Sequence, residues 1–169
     1  MFTPYPCRTL TRAGIVVLAT IASGTAFAAT TTNMQVTAKI PNSCTVAATT
    51  MDFGTLASGG SLSLPQTDAT GTLTVNCLNK GSYEIQPASA TQSGDNFYMA
   101  KGATGATITY HIYTDSARTT PYPNAQTSSS QGGTGTGSNQ TITIYGRIPA
   151  QTVTQAGAYS DTLTFTISY

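Results

Sequence analysis

Tyr159-Ser-Asp-Thr-Leu-Thr-Phe-Thr-Ile-Ser-Tyr169 alternates without a break. Leu163, Phe165, Ile167 and Tyr169 fall on one face, and Thr162, Thr164, Thr166 and Ser168 on the other, the period of two that marks a half-buried β-strand. Such a strand carries a row of backbone donors and acceptors as well as an apolar face, and it needs a partner on each side. The sequence supplies no strand after Tyr169. The expectation is therefore that an earlier segment, or another chain, pairs with it.

Working back toward the N-terminus, the same alternation recurs. Thr31 to Ile40 sets Met34, Val36, Ala38 and Ile40 against Asn33, Gln35, Thr37 and Lys39. Ala69 to Cys77 places Leu73, Val75 and Cys77 inward, Tyr83 and Ile85 follow the Asn79-Lys-Gly81 turn, Thr107 to Tyr113 offers Ile108, Tyr110 and Ile112, and Gln140 to Ile148 offers Ile142, Ile144 and Ile148. Weaker strand signals lie at Met51-Asp-Phe-Gly54 and Ser61-Leu-Ser-Leu64. No run after the first 28 residues has a 3.6-residue period, and short strands at regular spacing predict an all-β antiparallel sandwich. Ala117–Gln126, with Pro121 and Pro123, reads as a loop, and the Ser/Gly/Thr/Gln tract Thr127–Gln140 as a solvated hairpin connection rather than a ligand-gripping loop.

Residues 1–28 read as a secretory leader: Arg8 and Arg12, an apolar run from Gly14 to Ala22, and the small-x-small site Ala26-Phe27-Ala28. The run is too short to span a bilayer comfortably. About 140 residues then remain, one domain's worth. Cys7 departs with the leader, and Cys44 and Cys77, in an oxidising compartment and flanked by strand-like sequence, are expected to form a disulfide.

Composition excludes several function classes. Only 8% of residues are charged, against the usual quarter. Beyond residue 28, Lys39, Lys80, Lys101, Arg118 and Arg147 face six carboxylates, so there is neither a nucleic-acid footprint nor a basic membrane surface. His111 is the single histidine, on the strand face opposite Ile108, Tyr110 and Ile112, and makes neither a zinc site nor a triad. Asp68, Asp95 and Asp115 read as turn residues, and the glycine-rich tract lacks the lysine and helix of a phosphate loop. The chain reads as a non-enzyme without cofactor, metal or small-molecule substrate. Tyr159, after Gly157-Ala158, is expected to bond back across the preceding turn as a tyrosine corner. A sugar-binding monomer, with Tyr98, Tyr113, Tyr122 and Tyr145 as stacking platforms, is a competing reading.

The two terminal strands allow two arrangements. The segment 29–41 pairs within its own sandwich, or it inserts beside the last strand of a neighbour and builds a head-to-tail fibre. Here the ordered motifs matter: Ile40-Pro-Asn-Ser-Cys44-Thr-Val, Met51-Asp-Phe-Gly54, Ile108-Thr-Tyr-His-Ile-Tyr-Thr-Asp115-Ser-Ala-Arg118, Ile144-Tyr-Gly-Arg-Ile-Pro149 and Gly157-Ala-Tyr-Ser-Asp161-Thr-Leu-Thr-Phe. Together they resemble the spore coat U domain family, which includes the Csu-type pilins of archaic chaperone-usher systems. The resemblance implies an incomplete immunoglobulin-like sandwich over residues 42–169, held by a periplasmic chaperone and passed through an outer-membrane usher. A donor strand from the neighbouring pilin then completes it, at the cell surface, in support of adhesion and biofilm formation. By position, Met34, Val36, Ala38 and Ile40 would be donor residues, and Leu163, Phe165, Ile167 and Tyr169 would form the acceptor edge that the chaperone also binds. The family's name implies an alternative, a secreted spore-coat or matrix protein of the same fold.

Overall fold

The computed structural model describes residues 28–56, 62–127 and 129–169, so the expected leader, Ala28 apart, lies outside the described residues. The chain divides between Ala38 and Lys39 into two units. Residues 28–38 carry no strand and are exposed. The alternation from Thr31 to Ile40 therefore builds no strand within a single chain.

Among its described residues the second unit contains ten strands: β1 (Cys44–Ala48), β2 (Ser63–Leu64), β3 (Thr67–Cys77), β4 (Ser82–Ala88), β5 (Phe97–Ala100), β6 (Thr107–Tyr113), β7 (Gln131–Thr134), β8 (Gln140–Ile148), β9 (Gln151–Thr152) and β10 (Thr164–Ser168). A five-stranded sheet runs β1-β3-β8-β6-β5, a three-stranded sheet β10-β4-β7, and β2 pairs with β9. Every pairing is antiparallel. The fold is thus the expected all-β sandwich.

The inward residues read from the sequence make its core. Leu73, Val75 and Cys77 of β3, Ile108, Tyr110 and Ile112 of β6, and Ile144 and Ile148 of β8 meet Tyr83 and Ile85 of β4 in one cluster. Cys44 and Cys77 face each other in the β1–β3 register and are joined by the expected disulfide. Pro87 sits inside β4 opposite Phe165, beyond the stretch of β4 that β7 pairs with. Its missing N–H is therefore tolerated.

Two expectations change, and one strand appears where no alternation marked it. The tract Thr127–Gln140, read as a solvated connection, contains β7, which pairs with β4 from Ser82 to Ile85. Its glycines hid it: a Cβ at Gly133 would fall on the Tyr83 ring, so an aromatic residue across the ladder demands a residue without a side chain. Phe97–Ala100 forms β5, a strand too short to show an alternation. Met51-Asp-Phe-Gly54 is not a strand. Asp52 Oδ1 accepts the N–H of Gly54 at 2.8 Å, and Gly54 has a φ of 70°, a turn geometry that frees Met51 and Phe53 to pack against the core.

Candidate functional site

β10 is an edge strand. It pairs with β4 on one side, Phe165 opposite Pro87 and Ile167 opposite Ile85, and among the described residues no strand pairs with its other side. Leu163, Phe165 and Ile167 touch the core but stay half-buried, whereas Tyr169 is 61% exposed. Beside this edge lies an open groove of about 960 Å³. Leu163 and Phe165 line it, with Tyr159. Met51, Phe53 and Leu56 from the segment after β1 line it too, as do the buried Leu73, Tyr110, Ile144 and Ile148. Protein interiors are packed to crystal density. A gap of this size, more apolar than polar in its lining, alongside an edge strand has the form of a missing sheet element.

Hydrogen bonds hold the groove open at the start of β10. Ser160 and Ala100 exchange backbone bonds of 3.1 and 2.9 Å, tying the lead-in to β5. Tyr159 Oη donates to the carbonyl of Gln155 at 2.6 Å, the back-bond expected of that tyrosine. Asp161, which sequence reading passed over, is the hub. Its carboxylate accepts Tyr110 Oη at 2.7 Å, Ser89 Oγ at 2.7 Å and the Thr162 N–H at 2.8 Å. Burial, and then the Asp161 hydrogen bond, push the Tyr110 hydroxyl well above its ordinary range.

Tyr122, 1% exposed, packs edge-on to Phe165 with centroids 6.3 Å apart. Its hydroxyl is buried without a partner among the described residues. Burial, and then Tyr83, push its pKa up to about 12. Both phenols hold their protons more tightly folded than unfolded, so their contribution is complete below about pH 10 and is lost as pH rises through the folded values. Thermal unfolding is expected to hold steady from pH 8 to 9.5 and to fall steeply above. Tyr122→Phe should reduce that fall without lowering stability at pH 7, since it removes an unsatisfied buried group. A melting curve flat to pH 11.5, or an unchanged alkaline fall in Tyr122→Phe, contradicts this account.

The outer face of the five-stranded sheet is polar. Asp68, read as a turn residue, lies in β3 opposite Arg147, which grips it at 2.8 and 3.0 Å, with Arg118 at 3.3 Å. The Arg147 hydrogen bond leads in holding its carboxyl below the usual range. Asp95 accepts from Asn124 Nδ2 at 2.8 Å, and Asp115 does cap its turn through the N–H groups of Thr119 and Thr120. His111 lies on the outward face as expected, with Nδ1 3.0 Å from the Asp95 carbonyl. Of the four tyrosines weighed as platforms, Tyr122 is in the core and Tyr145 is covered by the Arg118 guanidinium, 5.6 Å from its centroid.

Met34, Val36 and Ile40 are each more than 85% exposed, and Ala38 is exposed too. An unpaired alternating segment and an unpaired apolar edge thus occur in one chain. Over residues 30–166 the sequence matches the model of the Spore Coat Protein U domain. The chain belongs to that family. No curated protein sequence matches it. Among solved structures the Spore Coat Protein U domain here is similar to a chain in the crystal structure of the CsuC–CsuE chaperone–tip adhesion subunit pre-assembly complex, from the archaic chaperone-usher Csu pili of Acinetobacter baumannii. Identity is 16%, with a TM-score of 0.51. The match covers 77% of this chain but 40% of the other, so this chain accounts for less than half of that protein. At this identity the likeness is one of fold.

Proposed function

We propose that this chain is a non-catalytic structural subunit of a surface pilus, exported behind the leader 1–28. A periplasmic chaperone holds it, an outer-membrane usher assembles it, and strand donation between neighbours builds the fibre. The observation that carries the reading is the groove beside the unpaired edge of β10. Membership of the Spore Coat Protein U family and the fold likeness to a chain of a pilus pre-assembly complex support it. In this reading Met34, Val36, Ala38 and Ile40 of one copy fill the groove of the next, against Leu163 and Phe165, which line it. Burying Met34, Val36 and Ile40 contributes roughly 1.5–3 kcal/mol each. Ordering the segment costs about 1–2 kcal/mol per residue. The remaining gain comes from closing the acceptor's core and completing its ladder. Adhesion and biofilm formation are the roles such a fibre serves.

The family's description also supports a spore-coat or matrix protein, assembled by the same joint without an usher. Both share one biochemical test. A synthetic peptide of residues 29–41, added to a chain that starts at Pro41, is expected to raise the unfolding temperature, with about 2.7 kcal/mol of stabilisation at a hundredfold excess over Kd. The same peptide with Ser at positions 34, 36 and 40 should have no effect. Equal shifts from both peptides, or none from either, sink the strand-donation reading.

A further inference from the structure

Resting on that reading, one question is what stops the segment from filling its own groove. Length does not. Met34 precedes Asn42 by eight residues, a reach of about 26–29 Å, while the edge from Leu163 to Tyr169 spans only about 20 Å. Direction and the intervening turn do. Ser168 lies opposite Glu84 and Thr164 opposite Ala88, so the C-terminal end of β10 is at the Ser82 end of β4. The chain enters the sandwich at that same end, where Asn42 Nδ2 donates to the Ser82 carbonyl at 3.1 Å. A segment folding back from Asn42 would therefore run parallel to β10, the weaker ladder, whereas another copy's segment is free to enter antiparallel.

Folding back also requires a reversal within Pro41–Ser43, and that stretch is held. The Asn42 amide is engaged at both atoms, with Oδ1 accepting the Ser43 N–H at 3.0 Å, and the Ser43 carbonyl accepts the Leu78 N–H at 3.1 Å. Gly81 is the seat: a Cβ there would collide with the Asn42 side chain, with Cγ and Nδ2 both at 2.8 Å. Pro41 biases Ile40 toward extended backbone. We infer that Asn42, seated on Gly81 and tied to Ser82, is a positioning residue that directs the 29–40 segment away from its own groove and into that of a second copy.

The test compares the exported chain, oxidised and refolded by dilution, with Asn42→Ala, Asn42→Asp and Gly81→Ala. Asn42→Asp keeps the acceptor for Ser43 but loses the donor to Ser82. Gly81→Ala keeps Asn42 and removes its seat. The readouts are the ratio of monomer to polymer by light scattering, and hydrogen exchange of residues 34–40 in the monomer fraction. All three variants are expected to raise the monomer share about three- to tenfold, the effect of losing one such bond, and to protect residues 34–40 within monomers. A merely structural role would not create that protection. Wild-type polymer ratios in Asn42→Asp and Gly81→Ala, or extra monomers with residues 34–40 still unprotected, overturn the inference and leave strand donation standing. A wild-type chain that never polymerises and leaves 34–40 unprotected overturns both.

Discussion

Deleting residues 29–40 is expected to leave a chain that folds, keeps its Cys44–Cys77 bond and forms no filaments. Among the described residues every strand and the whole core lie at Cys44 or later, and residues 29–40 are all exposed, so the deletion removes no packed residue. It does remove Met34, Val36 and Ile40, the exposed large hydrophobics ahead of β1. On the proposed joint, the groove of each copy then has nothing to receive from its neighbour, and head-to-tail growth stops at the first subunit. Electron microscopy of cells producing the deleted chain in place of the intact one should show loss of filaments, with circular dichroism of the purified chain still reporting β-structure. Filaments of ordinary length from this deletion defeat the strand-donation model.

Replacing both Cys44 and Cys77 by Ala is expected to be the most damaging change to stability. The bond spans a sequence separation of 33 and joins the first strand to the longest one. Its loss releases roughly 3–4 kcal/mol of loop-closure restraint in the unfolded chain. A complete domain of this size is stable by only about 5–15 kcal/mol, and this one carries an open groove where core should be. The double variant should unfold at far lower denaturant than the oxidised parent, and the peptide 29–41 should recover part of the difference. Coincident denaturation midpoints for the parent with and without reductant would contradict this.

The strands that alternate were legible because one face is wet and the other dry: β3, β6, β8 and β10 have burial patterns that track their sequences. β7 was not legible, since the Tyr83 ring leaves it room for glycine alone at position 133. The apolar face around β10 was visible in the alternation, although Tyr169 turned out to be exposed. The groove's lining from the segment after β1 was not. Met51, Phe53 and Leu56 reach the groove through a turn, and no period in the sequence marks a turn's inward side chains. Asp68 and Asp161 were hidden for another reason. Their partners Arg147 and Tyr110 are 79 and 51 residues away, and no local pattern reports a contact made by tertiary folding.

The unpaired flank of β10 has a consequence for how long an assembly grows. If strand donation is the joint, as proposed, a copy with one vacancy and one exposed tail has a valence of two, with unlike poles, so a growing row always presents an unfilled cleft at one tip and an idle tail at the other. Nothing in such a row tells it when to stop. Length must be set from outside, by the supply of copies or by a terminator that carries one pole and lacks the other.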